Sequence, residues 1–526
     1  MKRKIAVTAT AALLAGVGIP ALGQKPPPLD AAPPPAVRPQ APPRAMPTPA
    51  VPQAGLPSGK PPPLGVSPAA PPPAVATPVP APAPAAPPPS APPAPPPPAA
   101  AAPLPAGEPA AVTRLRSLLP PGSTLQYASA EVIDPNRGSV RLTAVTIGEG
   151  GKTITAEELT LDDLREDGVG ELTARGLVGR EGTEEKFTLA RLQLRGITVQ
   201  RPAAGQEFLP DMISADAIRL EGFAARDPDM NLSVQQIEIE EYGKDRPTRI
   251  VISGFDLGMP QNREADRVRL GRLLLRGLDV ATLFRAAVQG QSAPRPAAGR
   301  QVLEMDDLQV GAGGREISSI ASVRAGGESN AQGSGTGTLA IRGIRVGPAP
   351  VLDQWLRRFG YDALMLEVTM DGRYDAPSGR LEVTSFSLAG RDIGALSLSF
   401  VVDGATQQAL EATDFSRMRL ISAGLRYVDQ SLYARFMRQH AQEMSAPEQQ
   451  LREQYAAMVG GALTAPGKGG LDQIRDAVQR FIRGQAREIE ITARPPQPIP
   501  FAQFQGAAPG GPAEIQQMLG LTASAR

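Results

Sequence analysis

The chain has 526 residues, with 54 basic side chains, 53 acidic side chains and one histidine. This near-neutral balance does not indicate a nucleic-acid partner. Cysteine is absent, which excludes disulfides, thiolate metal ligands and cysteine nucleophiles. Aromatic residues make up 4% of the chain, so any core must consist mainly of aliphatic side chains.

Residues 1–23 have the features of a secretory signal peptide. A basic tip at Lys2, Arg3 and Lys4 precedes an apolar run, and small residues place the expected cleavage before Gln24. The alternative is an uncleaved anchor, because the apolar run is just long enough to span a bilayer. We expect the rest of the chain to be exported in both cases, and to be membrane-associated only if the segment stays uncleaved.

Residues 24–111 consist mainly of proline and alanine, and they hold 36 of the 58 prolines. Such a segment has too few large apolar residues to offset the loss of chain entropy on folding. It is therefore predicted to be a disordered spacer with polyproline II character.

A pattern of apolar, any, apolar, any, glycine, apolar recurs six times in the middle of the chain. Its glycines are Gly176, Gly196, Gly222, Gly254, Gly277 and Gly343. Apolar residues two apart lie on one face of a strand, and the glycine supplies a bend, a bulge or a strand end. Residues 112–428 are therefore predicted to be a mainly β domain, an elongated and twisted antiparallel β-repeat built as one long sheet or as two facing sheets.

A second repeat places an aspartate before each of three amphipathic segments. Asp279, Asp353 and Asp429 each precede an apolar run at helical spacing, which predicts three N-caps and three short helices. From residue 429 the apolar spacing becomes helical, so residues 429–526 are predicted to form a smaller helical module. We also expect a short strand at Glu488–Ala493 and a last helix in the sequence PAEIQQMLGL.

Two loops resemble binding motifs but depart from them. Asp227, Asp229, Asn231 and Glu238 have calcium-loop spacing, yet Leu232 stands where the loop needs glycine, which favours a turn and a solvated strand. The glycine-rich stretch 460–470 around Lys468 lacks both the spacing and the following Ser or Thr of a phosphate loop, and GSGTGTL at 333–339 lacks the continuation of a dinucleotide site.

The remaining polar candidates also favour structural roles. His440, the one histidine, falls on a helix among apolar and glutamine residues. The acidic pairs Asp162-Asp163, Glu240-Glu241 and Asp306-Asp307 are expected at strand ends and turns, as solvated charge. The sequence therefore assigns no catalytic, cofactor-binding or metal-binding residue, and it predicts a protein that is not an enzyme.

With its glycine-punctuated strands and the segment GRYDAPSGRLEVTSFSLAGRDIGALSLSF at 372–400, the chain resembles AsmA-like envelope proteins of Gram-negative bacteria over residues 113–428. That resemblance implies long β-sheets folded over into a groove, a periplasmic or envelope location and a role in lipid handling. The C-terminal module resembles uncharacterised alphaproteobacterial exported proteins.

These observations lead to one main functional hypothesis and one alternative. The first is a non-enzymatic envelope protein that binds or scaffolds lipid or envelope components in the periplasm. The alternative is a protein-protein interaction scaffold that binds no lipid. The two differ in whether apolar faces, such as that of Leu396, Leu398, Phe400 and Val402, line an open groove or meet in a closed core.

Overall fold

The computed structural model describes most of the chain beyond residue 106. The described residues are 107–119, 122–200, 209–291, 298–348, 352–406, 408–409, 412–464, 471–505 and 511–526. The predicted signal peptide and nearly all of the predicted spacer lie outside these residues.

Among the described residues, twenty β-strands form the main part of the structure. They are β1 Thr124–Gln126, β2 Ser129–Asp134, β3 Ser139–Glu149, β4 Lys152–Leu164, β5 Gly168–Glu181, β6 Glu184–Val199, β7 Ile213–Asp227, β8 Met230–Tyr242, β9 Thr248–Gly258, β10 Arg267–Leu278, β11 Gly299–Ala312, β12 Arg315–Ser329, β13 Gly335–Val346, β14 Leu364–Asp375, β15 Arg380–Gly390, β16 Gly394–Asp403, β17 Arg419–Asp429, β18 Glu488–Ala493, β19 Ile499–Pro500 and β20 Leu521–Ala525. The α-helices are α1 Ala110–Leu118, α2 Val280–Val288, α3 Asp353–Phe359, α4 Leu432–Glu443, α5 Glu448–Ala462, α6 Asp472–Ile482, α7 Ala502–Gln505 and α8 Pro512–Leu519.

All strand pairings are antiparallel, and most of them follow the order of the chain. From β3 to β18 each strand pairs with its neighbour in sequence, while β1 and β2 both pair with β3, β19 pairs with β17, and β20 pairs with β18. The described strands thus make a single open sheet. This confirms the mainly β, antiparallel prediction, and it selects one long sheet over two facing sheets.

One face of the sheet carries two apolar rows that cross every strand from β3 to β18 and continue onto β20. Because side chains two residues apart share a face, the two rows lie side by side. The cross-strand neighbours of the first row are Leu142, Leu159, Ala174, Leu192, Leu220, Ile237, Ile252, Leu273, Met305, Val323, Ile341, Val368, Leu388, Leu396, Tyr427, Ile489 and Ala525. Those of the second row are Val140, Leu161, Leu172, Leu194, Ile218, Ile239, Ile250, Leu275, Leu303, Ala325, Leu339, Met370, Phe386, Leu398, Leu425, Ile491 and Ala523.

Residues with left-handed backbone also form two rows across the sheet. In the first row, the register aligns one left-handed residue from each odd-numbered strand between β3 and β13. These residues have φ between 47° and 67°, and they are Ala144, Gly176, Gly222, Gly254, Asp307 and Gly343. A second row lies on the even-numbered strands β4 to β10, with φ between 54° and 85°: Asp163, Gly196, Glu241 and Gly277. The six glycines of the sequence repeat therefore belong to two structural rows.

These left-handed residues keep the apolar face continuous. Leu142 and Val145 flank Ala144 on β3, and both lie in one buried cluster; Leu220 and Phe223, which flank Gly222 on β7, pack against that cluster. The spacing between apolar residues thus grows from two to three at the left-handed position, where a bulge-like rotation restores the side-chain direction. Glycine favours this backbone because it has no Cβ.

The two largest buried clusters of the described residues lie on the apolar face. In the first, at β3–β6, α1 contributes Val112 and Leu115, which are both buried. The sequence interpretation did not predict α1, which begins inside the expected spacer. In the second cluster, at β7–β12, α2 contributes Val280 and Ala281 beside Leu275.

The three predicted helices are present, but only one has the predicted N-cap. Asp279 caps α2 by accepting a hydrogen bond from the Thr282 amide at 3.0 Å. The prediction for Asp353 is wrong: this residue lies inside the first turn of α3 and forms an ion pair with Arg357. Asp429 is the last residue of β17, and it accepts a hydrogen bond from the Tyr433 amide at 2.8 Å across the start of α4.

The last hundred residues combine helices with the end of the sheet. α4, α5 and α6 follow β17, and then β18 and β20 extend the sheet by two strands. β18 has the bounds predicted for the short strand, and α8 forms in the predicted PAEIQQML segment. α6 packs on β20 through a cluster of small residues, Ala477, Ala486 and Ala525.

Candidate functional site

The apolar face is covered by α1 at one end, by α2 in its middle and by the C-terminal helices at the other end, and it is accessible on β14–β17. At β17, Tyr427 packs against Phe481 of α6, with ring centroids 5.8 Å apart. Burial of the Tyr427 hydroxyl and its hydrogen bond to Asp429 at 2.8 Å raise the pKa of this tyrosine. The C-terminal helices therefore cover the first apolar row at this end, as α1 covers the face at the other.

Between these ends, both apolar rows are only partly covered on β14–β17. Leu388 keeps 36% of its accessible surface and Leu425 keeps 38%, while Met370, Phe386 and Leu398 are half-buried. Leucines in a core closed between two layers would be fully buried. We call this region the open apolar face; it consists of Val368, Met370, Phe386, Leu388, Leu396, Leu398 and Leu425.

The opposite face of the same strands carries hydroxyl groups and ion pairs. Ser387 and Ser397 face each other across β15 and β16. They are next in sequence to leucines of the open apolar face and therefore project from the other face. On neighbouring strands, Arg426 donates two hydrogen bonds to Glu488, at 2.9 and 2.8 Å, and these hold the pKa of that carboxyl below its usual range. Since hydrated charges disfavour burial, the sheet has one face suited to water and one suited to apolar material.

The candidate calcium loop forms a tight connection between two strands. β7 ends at Asp227 and β8 begins at Met230, and Glu238 is ion-paired with Arg219 across the same strands. Among the described residues, no cluster of three or more acidic or histidine side chains could hold a metal ion.

The other candidates take part in packing or lie partly outside the described residues. His440 lies on α4, where its Nε2 is 2.6 Å from the Tyr455 hydroxyl and its ring stacks on Phe436. The stretch GSGTGTL leads into β13. Residues 465–470 of the glycine-rich stretch around Lys468 are outside the described part of the chain.

The acidic pairs correct one expectation. Asp306 and Asp307 lie in the interior of β11, not at a strand end or turn. Asp307 takes the left-handed backbone that glycine takes on other strands. Short polar side chains tolerate this conformation better than most. The first member of each pair is ion-paired: Asp162 with Arg137, Glu240 with Arg249, and Asp306 with Arg324.

Together these features define a class of structure: an open antiparallel β-meander with one apolar and one polar face, which ends in helices. A family model described as "Uncharacterized protein" matches residues 387–526, from the middle of β15 to the last strand. No curated protein and no solved structure matches the chain. None of the helices in the described residues combines the length and apolar character needed to cross a membrane.

Proposed function

We propose that the protein is an exported, non-enzymatic envelope protein whose open apolar face binds the acyl chains of lipids in the periplasm. The observation that carries this proposal is the pair of apolar rows, which run unbroken across the sheet but are left accessible on β14–β17. The contact of Leu388 and Leu425 with water is unfavourable in free energy, and an apolar ligand that covered these side chains would remove it.

The dimensions and chemistry of this face suit acyl chains. The four strands from β14 to β17 span about 14 Å at about 4.8 Å per spacing, close to the depth of one leaflet, which is half of the hydrocarbon thickness of about 30 Å. The lining is mainly aliphatic and offers few groups that could orient a defined small molecule. Export is supported by the signal-peptide pattern of residues 1–23, and a role in lipid handling is what the AsmA-like resemblance of the sequence implies.

Lipid content measured in paired variants tests the proposal. Leu388→Asp places a carboxylate on the open apolar face, whereas Ser387→Asp places the same group on the polar face of the same strand. Because contact between a carboxylate and acyl chains costs several kcal/mol, Leu388→Asp should lower the phospholipid content at least about ten-fold. Ser387→Asp should leave it unchanged.

The measurement is mass spectrometry of phospholipid extracted from full-length protein that has been purified without detergent. Circular dichroism spectra and melting temperatures show whether both variants fold. Wild-type protein without phospholipid, or equal phospholipid in the two folded variants, would contradict acyl-chain binding.

One observation favours the alternative, a scaffold for another protein. Among the described strands β2 pairs only with β3, and its Val132 and Ile133 are 45% and 49% exposed. An apolar edge strand with unpaired backbone groups can add a strand from a partner. Under this alternative the wild-type protein is free of lipid, and Ile133→Lys disrupts partner binding while Leu388→Asp does not.

A further inference from the structure

Aromatic side chains are concentrated at one end of the open apolar face. Trp355, the only tryptophan of the chain, lies on α3, and the rings of Phe359 and Tyr361 are 4.9 and 5.9 Å from its ring. Phe436 of α4 is 43% exposed. We call these four residues the aromatic patch; Trp355 contacts Phe359 and Tyr361, and Phe436 follows Arg435, whose guanidinium lies over the Tyr361 ring.

The aromatic patch is held rigidly on α4. The Arg435 guanidinium lies over the Tyr361 ring, 4.3 Å from its centroid, and donates a hydrogen bond to the Phe359 carbonyl at 2.8 Å. Arg358 of α3 binds Glu443 of α4 at 2.7 Å. The half-exposed rings therefore keep a fixed arrangement, which lowers the entropy lost when they bind a partner.

Contacts with the β15–β16 turn place the aromatic patch beside the lipid-binding strands. The Tyr361 hydroxyl donates to the Asp392 carbonyl at 3.3 Å, and the Leu432 amide donates to the Ile393 carbonyl at 3.1 Å. This turn joins the two strands that carry Leu388 and Leu398. The patch and the open apolar face thus meet at one end of the same strands.

Exposed arginines lie on the two helices of the aromatic patch and on the turn that it contacts. The side chain of Arg357 is 73% exposed and pairs with Asp353, and Arg438 on α4 and Arg391 beside the exposed Asp392 are also exposed. Within the described part of the chain, no carboxylate lies within ion-pair distance of Arg391 or Arg438. Aromatic rings flanked by arginine suit the interfacial region of a bilayer, where the rings meet acyl chains and guanidinium groups meet phosphate.

We infer that the aromatic patch docks on the surface of a phospholipid bilayer and brings the open apolar face to the membrane, so that acyl chains transfer between the two. This inference rests on the proposed function, because it supplies the route by which lipid reaches β14–β17. The partner is the bilayer surface, recognised through acyl chains by the rings and through phosphate by the arginines.

Trp355 reports on docking directly because no other tryptophan contributes to the fluorescence. Full-length protein is mixed with vesicles of phosphatidylcholine and phosphatidylglycerol. The Trp355 emission should shift to shorter wavelength, and brominated acyl chains should quench it. Phe436→Ser should weaken vesicle binding about ten-fold, as expected for the loss of one buried ring.

Phe415→Ser is the matched control. Phe415 is 42% exposed, close to the 43% of Phe436, but it lies in the connection at the other end of β16 and β17. Its replacement should leave vesicle binding unchanged. Any contribution of the N-terminal segment to binding is the same in every variant.

Three results would overturn docking: no change in Trp355 emission with vesicles, an equal loss of binding in the two phenylalanine variants, or an emission shift that depends on protein concentration without vesicles. The last result would mean that a second copy covers the aromatic patch. Phospholipid content and vesicle binding are measured independently on the wild-type protein, so the two proposals can fail separately. If the wild-type protein binds vesicles but carries no phospholipid, acyl-chain binding by the open apolar face is refuted and docking of the aromatic patch is not.

Discussion

Replacing Gly277 with alanine tests the role of the left-handed rows in holding the sheet together. Gly277 has φ of +85°, and a Cβ added there would lie 2.1 Å from the main-chain oxygen of Arg300 on the neighbouring strand. The left-handed backbone costs alanine about 1–2 kcal/mol. The overlap with a backbone atom adds about 1–3 kcal/mol, because the adjacent strand must shift. We therefore expect Gly277→Ala to lower the free energy of unfolding by about 2–5 kcal/mol.

Gly337 on β13 provides the comparison. A Cβ at this residue would meet only the Gly326 oxygen, at 3.9 Å, and its backbone is not left-handed. Gly337→Ala should leave stability unchanged or raise it by up to about 1 kcal/mol, through a less flexible unfolded chain. Urea unfolding followed by circular dichroism measures both variants. Equal stability of Gly277→Ala and wild type would refute the reasoning, as would equal losses in the two variants.

Three further predictions concern helix capping, pH and proteolysis. Asp279→Ala removes a real N-cap and should cost about 1 kcal/mol of stability, whereas Asp353→Ala removes only an exposed ion pair and should cost about 0.5 kcal/mol or less; thermal unfolding compares them. Hydrogen bonds from Arg267 lower the pKa of Asp256 in the folded protein. The Asp256 carboxylate therefore stabilises the fold at pH values above its ordinary pKa of about 4, and this stabilisation is lost as the pH falls through the lower pKa of the folded state. Melting temperatures between pH about 4 and about 2 should therefore fall less steeply for Asp256→Asn than for wild type, and parallel curves would exclude this linkage. Limited proteolysis should remove the predicted spacer first and leave a resistant fragment that begins near α1; a stable fragment that retains most of the spacer would contradict the predicted disorder.

The β-architecture could be predicted because its signals are local. Alternation of apolar and polar residues specifies a two-faced strand, and the glycine of each repeat unit marks a special backbone position. The sequence alone could not show that Gly176 and Gly222 share one row while Gly196 belongs to another, because cross-strand register depends on the lengths of all the intervening strands and turns. The same limit applies to Asp307, whose left-handed backbone appears only when its strand is aligned with the glycines of its neighbours.

The helix caps and the aromatic patch show a second limit. Asp279, Asp353 and Asp429 have the same local context in sequence. Whether each carboxylate reaches a backbone amide in the first turn of its helix depends on where the chain leaves the sheet. α1 was missed because its apolar residues are few and are buried mainly by tertiary contact with β3 and β4. The aromatic patch could have been noticed from the density of rings in the segment WLRRFGY, although its position beside the β15–β16 turn required the structure.

Site-specific photocrosslinking in living cells tests most directly whether the open apolar face binds lipid. A photoreactive amino acid is placed at Leu398 in one variant and at the adjacent Ser397 in another, so that the two probes project from opposite faces of β16. The account predicts phospholipid adducts, identified by mass spectrometry, at Leu398 and none at Ser397. Equal lipid adducts at both positions, or crosslinks from Leu398 to protein alone, would contradict it.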